Sequence, residues 1–158
     1  MPSTATNLAV YRALVRAYPN RDRRGIQLDL IESRGEKGKW FAAAKDAGFL
    51  DVALDCAAEH SADPATLVRA ARDFRDTDPR FATAVGLLAV RHLLVGGGYD
   101  PVVSEASEAV RHLLAAASRI EAADWARQEL DRLAGAPCAP GREPFRQAVR
   151  MALSRPDA

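Results

Sequence analysis

Seven basic side chains and one tryptophan crowd into the first third of this 158-residue sequence: Arg21, Arg23, Arg24, Arg34, Lys37, Lys39 and Lys45, with Trp40 among them. Guanidinium and ammonium groups beside an exposed aromatic suit phosphates and stacked bases. They suit an acidic protein surface equally well. Charge is split along the chain. Residues 1–45 hold nine Lys/Arg against four Asp/Glu, or +5, and residues 46–158 hold thirteen against seventeen, or −4. These eight residues are therefore the candidate partner-binding set. The competing reading is internal neutralisation between packed helices, or a self-complementary contact between copies of the chain.

Other chemistry is thinly supported. Gly35-Glu-Lys-Gly38-Lys39 has two residues between its glycines and Trp40 after the lysine. A phosphate loop needs four residues there and a Ser or Thr after the Lys. His60, His92 and His112 stand apart, with no Cys or carboxylate at ligand spacing. His92 reads as a hydrogen-bonded packing residue. Asp51, Asp55 and Glu59 recur every four residues, as on a solvated helix face. No serine has a nucleophile-elbow context. Cys56 and Cys138 form neither a metal spacing nor a disulfide framework. Cys56 reads as a small buried residue and Cys138 as an exposed thiol in a linker. No catalytic residue, metal or cofactor is expected.

The elements that position these groups read as helices. Thirty-two residues are alanine, β-branched residues are few, and strand signals are nearly absent. Asn7 can cap a first helix with Leu8, Tyr11, Leu14, Val15 and Tyr18 on one face. A second helix, roughly 22–33, carries Ile26, Leu28, Leu30 and Ile31. Gly48 reads as a left-handed helix end, after which Asp51 can cap the next helix. Asp63-Pro64, Asp78-Pro79 and Asp100-Pro101 each read as a helix start, with Pro at the first helical position. Arg69 with Asp73, and Arg72 with Asp76, are i,i+4 pairs on the polar face after Pro64. The segment Phe81–Val95 is apolar nearly all round, so it reads as the central helix of the core, ended by Gly96-Gly97-Gly98. It is too short for a bilayer, which needs about 20 residues. Later stripes run from Val103 to Ala117 and from Ile120 to Leu133, and a last amphipathic helix covers about 144–153.

The expected fold is all-α, an array of antiparallel helical hairpins with about eight or nine helices. Its helical domain covers 1–135, a Pro/Gly-rich linker 136–143, and a C-terminal helical segment 144–158. Residues 1–6 are expected to be frayed. The piece Trp40-Phe-Ala-Ala-Ala-Lys-Asp-Ala-Gly-Phe-Leu-Asp-Val-Ala-Leu-Asp-Cys-Ala-Ala resembles a tetratricopeptide-type hairpin. In that family a Trp and small residues line one helix and an Ala-rich helix packs on it. The resemblance implies an α-solenoid-like architecture and, for function, docking of a peptide or protein.

Together these observations lead to a non-enzymatic protein-interaction module, an adaptor or a stoichiometric inhibitor of a larger complex. It would bind an acidic partner through the basic N-terminal third. The alternative is nucleic-acid binding by the same face, although a pI near 7.8 is low for that role. No signal peptide or membrane-length apolar stretch is visible, so the expected location is the cytoplasm, and the arginine excess of 19 to 3 over lysine fits a bacterial coding bias. Homo-oligomerisation stays open.

Overall fold

A computed structural model describes residues 7–98 and 100–155. The expectations for residues 1–6, Tyr99 and 156–158 lie outside the described residues. Among the described residues the chain is all-α, with nine α-helices, one 3-10 turn and no strand. It folds as two compact units, Met1–Ala62 and Asp63–Ala158. The boundary thus falls just before the first Asp-Pro helix start. Residues 136–143, read from sequence as a linker, belong with the last helix inside the second unit.

The first unit contains α1 (Asn7–Ala17), α2 (Arg23–Arg34), a 3-10 turn (Lys37–Trp40), α3 (Phe41–Asp46) and α4 (Leu50–Ala57). Helix α2 starts where the Asp22 carboxylate accepts from the N–H groups of Arg24 and Gly25. That satisfies two donors a helix start leaves open. Asn7 is itself the first residue of α1, and its side-chain amide donates to the Lys39 carbonyl at 3.1 Å. Helix α3 ends as expected. Gly48 takes φ 85°, Phe49 N–H reaches the Ala44 carbonyl and Gly48 N–H the Lys45 carbonyl, the paired bonds of a Schellman turn. Asp51, expected as the next cap, lies instead in the first turn of α4, which begins after Phe49 without a side-chain cap.

Ile26, Ile31, Trp40, Phe41, Val52 and Cys56 form this unit's core, whereas Leu28, expected on the buried stripe, is exposed. Trp40 is fully buried, and so is Gln27, whose amide oxygen and nitrogen have no hydrogen-bond partner among the described residues. Gly38 explains the glycine-rich stretch before Trp40. Its N–H donates to the Ser61 hydroxyl at 2.9 Å, and a Cβ there would sit 2.2 Å from the Ala62 backbone nitrogen. The glycine permits a close backbone approach.

The second unit contains α5 (Pro64–Phe74), α6 (Pro79–Val95), α7 (Ser104–Arg119), α8 (Ala123–Gly135) and α9 (Glu143–Leu153). Two of the three Asp-Pro starts hold, with Pro at the beginning of α5 and α6. Asp78 caps α6 by accepting from Phe81 N–H at 3.1 Å. Asp63 instead accepts from the Thr66 hydroxyl. The third start fails. Asp100 sits in the left-handed region at φ 49°, and α7 begins only at Ser104. The i,i+4 pairs expected on α5 do not form either. Arg69 donates to Thr66, Arg72 pairs with Asp73, and Asp76 pairs with Arg119.

Helix α6 is the hub of this unit. It packs against α5, α7, α8 and α9, and buries Phe81, Val85, Ala89, Val90, Leu93 and Leu94. Gly86 lets α7 come close, since a Cβ there would lie 2.6 Å from the Leu113 Cβ. Past its end, Gly96 turns left-handed at φ 104°. The stretch after α8 then comes back to cover that end. Ala139 N–H donates to the Leu94 carbonyl, and the Arg142 guanidinium donates to the carbonyls of Leu93, Gly96 and Gly97 at 2.9–3.1 Å. Those oxygens are among the acceptors a helix C-terminus leaves open, where a cation is also favoured by the helix dipole.

Candidate functional site

All eight residues singled out from the sequence lie in the first unit, but the fold scatters their roles. Arg24 is committed to Asp51 through two bonds of 2.8 and 2.6 Å, and lies over the Phe49 ring at 5.9 Å. This hydrogen-bonded guanidinium pulls the Asp51 carboxyl down to about 2. Lys39 pairs with Glu36 at 3.1 Å, and Arg21 with Asp29 at 3.4 Å. Trp40 is buried, so it cannot stack on a base. Arg23, Arg34, Lys37 and Lys45 have no ion pair with any described residue.

The charge split has a local answer. Residues 1–62 hold nine Lys/Arg and eight Asp/Glu, a net of +1. The acidic residues that follow Lys45 fold back onto the basic ones within the same unit. Arg12 meets Asp46 at 2.6 Å and Arg24 meets Asp51. Much of the basic third is therefore neutralised where it stands. Asp51, Asp55 and Glu59 are all exposed, as read from the sequence, and Asp51 also pairs with Arg24 of α2.

What survives is concave, and it flanks α1. On one side Leu14, Tyr18, Ile26 and Leu30 line an apolar groove of about 210 Å³, with Arg21, Asp29 and Ser33 also in its wall. On the other side Tyr11, Arg12, Val15, Arg16, Arg23, Asp46 and Ala47 line a groove of about 340 Å³. Arg12 is held by Asp46, while Arg16 and Arg23 form no ion pair with a described carboxylate; the Asp22 carboxylate nearby caps α2. Burial pushes the Tyr11 phenol up, against the pull of the Arg23 guanidinium, so its hydroxyl stays a donor at neutral pH. Only Arg21 and Arg23 of the sequence-derived set line either groove. Arg12 and Arg16 were missed. Their signal was the i,i+4 repetition of like charge on one exposed helix face, which is mildly unfavourable without an anion nearby.

The second unit holds several polar groups in structural settings. His112 is buried, with Nδ1 3.4 Å from the Arg75 Nη1. A guanidinium has no lone pair to offer, so Nδ1 is the acceptor there. Burial, then the neighbouring Arg111 and Arg75, push His112 below 6.5. His92 is buried in α6, as expected of a packing residue. Cys138 is half-buried rather than exposed. Its thiol faces Glu143 at 3.2 Å and accepts from Arg146 at 3.0 Å. Cys56 is buried as expected, and burial pushes its thiol up to about 11. Among the described residues there is no group of three or more His, Cys, Asp or Glu able to hold a metal ion. No described helix is long and apolar enough to cross a membrane. Comparison with protein-family models, with curated proteins and with solved structures finds no match, so the reading of this chain rests on its own residues.

Proposed function

We propose that this protein is a non-enzymatic interaction module of the cytoplasm, an adaptor or stoichiometric inhibitor, that docks an acidic partner segment on α1 and α2 of its first unit. The observation that supports this is the pair of grooves flanking α1. One offers apolar wall, the other two arginines without an acidic partner. A segment carrying an apolar anchor and a nearby anion matches that pair, with buried apolar contact supplying affinity and the cations steering approach. Arg24, Lys39 and Trp40 leave the candidate surface, since their side chains are already committed and none of them lines a groove; Arg16 joins it, with Arg12, held by Asp46, as part of the groove wall.

The test is affinity capture from native-cell extract with the full chain. Wild type is compared with Arg16→Glu/Arg23→Glu, with Tyr18→Ser, and with Arg34→Glu/Lys45→Glu as the off-groove control. All four positions changed to Glu, and Tyr18, are exposed or half-exposed, so the helical circular-dichroism spectrum should stay unchanged. The first two variants should lose the captured protein and the control should keep it. Retention by both groove variants overturns the proposal. Recovery of nucleic acid alone, with strong salt dependence, favours the nucleic-acid reading instead.

A further inference from the structure

We infer that the groove of Tyr11, Arg12, Arg16 and Arg23 is a receptor for a phosphate monoester dianion, presented as a phosphorylated side chain of a protein partner. For the identity of the partner as a protein, this rests on the docking proposal above. For the groove itself it rests on charge and shape.

The wall of the groove carries three guanidiniums and one carboxylate. Asp46 answers Arg12 at 2.6 Å; Asp22, whose charge reaches Tyr11, is spent on capping α2, which leaves Arg16 and Arg23 without an ion pair among the described residues. A carboxylate side chain brings one negative charge. A phosphate monoester brings about −1.5 to −2 at neutral pH, with three strong acceptor oxygens. The uncompensated pair therefore matches the phosphate in charge. Guanidiniums present flat forks of N–H donors that grip phosphate oxygens two at a time. Tyr11 adds a hydroxyl donor from the groove wall. The choice of arginine over lysine carries no weight here, because arginine outnumbers lysine 19 to 3 throughout the chain. The weight lies in two unanswered cations converging from α1 and α2 on one concavity. A nucleic acid would call for a longer basic track along its backbone, and this unit's net charge is only +1.

The experiment titrates the full chain, in low salt at pH 7.5, with inorganic phosphate, phenyl phosphate, acetate and a random single-stranded oligonucleotide. Binding is read from the ¹⁵N resonances of the arginine side chains and by calorimetry. Phosphate and phenyl phosphate should saturate the Arg16 and Arg23 signals, and acetate should bind about ten-fold more weakly. Arg16→Gln or Arg23→Gln should each weaken phosphate binding about ten-fold, Tyr11→Phe less, and Arg34→Gln not at all. Equal titration by acetate and phosphate, or no change in the Arg16→Gln/Arg23→Gln double variant, overturns the inference. Tighter binding of the oligonucleotide than of phenyl phosphate through the same residues overturns the phosphoprotein source. Phosphatase treatment of the extract separates the two proposals. If capture needs Arg16 and Arg23 yet survives dephosphorylation, docking stands and the phosphate receptor falls. If phosphate binds the groove yet capture survives both Arg16→Glu/Arg23→Glu and Tyr18→Ser, the receptor stands and docking falls.

Discussion

Replacing Gly86 by alanine should destabilise the protein, although the same change usually stabilises a helix. Alanine gains about 0.8–1.0 kcal/mol over glycine inside a helix. Against that, its Cβ would lie 2.6 Å from the Leu113 Cβ and 3.2 Å from the Leu113 Cδ2. Carbon atoms rest at about 3.5–4.0 Å, so α6 and α7 must part by on the order of 1 Å. The Leu113 Cβ is fixed to its backbone and cannot rotate away. Overpacking of this kind costs about 1–3 kcal/mol. The net loss is then roughly 0–2 kcal/mol, and Gly86→Val, with two more methyl groups, should lose more. Gly135 is the control. It also lies in a helix, but a Cβ there meets nothing within 4 Å, so Gly135→Ala should gain about 0.4–1 kcal/mol. Thermal and urea unfolding, followed by circular dichroism, would show the two midpoints moving in opposite directions. For a chain of this length a change of 1 kcal/mol moves Tm by about 2–4 °C. A Gly86→Ala protein more stable than wild type, gaining as Gly135→Ala does, would refute the close approach of α6 and α7.

Three further outcomes are expected. Arg142→Ala should cost about 2 kcal/mol, because several carbonyls at the end of α6 lose a charged donor at once; an unchanged urea midpoint would show the strap to be idle. Acrylamide should quench Trp125, which is 53% exposed, and barely touch Trp40, which is 0% exposed; single-tryptophan variants with equal quenching would contradict the burial of Trp40. His112 should make the fold acid-sensitive. Its folded pKa lies below the unfolded value of 6.5, so the unfolded chain takes the proton first and stability falls as pH drops below 6.5. Tm measured from pH 7.5 to 5 should decline, and His112→Asn should flatten that slope.

The helical character was legible because it is written locally, in alanine content and apolar stripes. The same holds for the caps at Gly48 and Asp78, where the residue that makes the turn also makes the bond. Asp100 shows the limit of such reading. Its dipeptide matches Asp63-Pro64 and Asp78-Pro79, yet a left-handed backbone and two valines separate it from α7. The Pro/Gly-rich stretch 136–142 does link α8 to α9, but its fastening was not legible, because Arg142 reaches carbonyls some 45 positions earlier. The candidate site was hidden by arithmetic along the chain. A +5 segment looks like a surface until Asp46 and Asp51 fold back onto Arg12 and Arg24. Arg12 and Arg16 drew no notice because an exposed basic helix face is ordinary, and only the neighbouring helix turns it into a concavity.

The strap over α6 also sets an order of events during synthesis. Leu93 and Arg142 are 49 positions apart. At about 5–20 residues per second, a ribosome needs roughly 2–10 s to reach Arg142 after it has made Leu93. Throughout that interval the carbonyls at the end of the hub helix face water or whatever the exit tunnel offers. The second unit thus acquires its final fastening late. A stalled or truncated product ending before Arg142 would leave the hub helix open at one end, a ready mark for quality-control proteases.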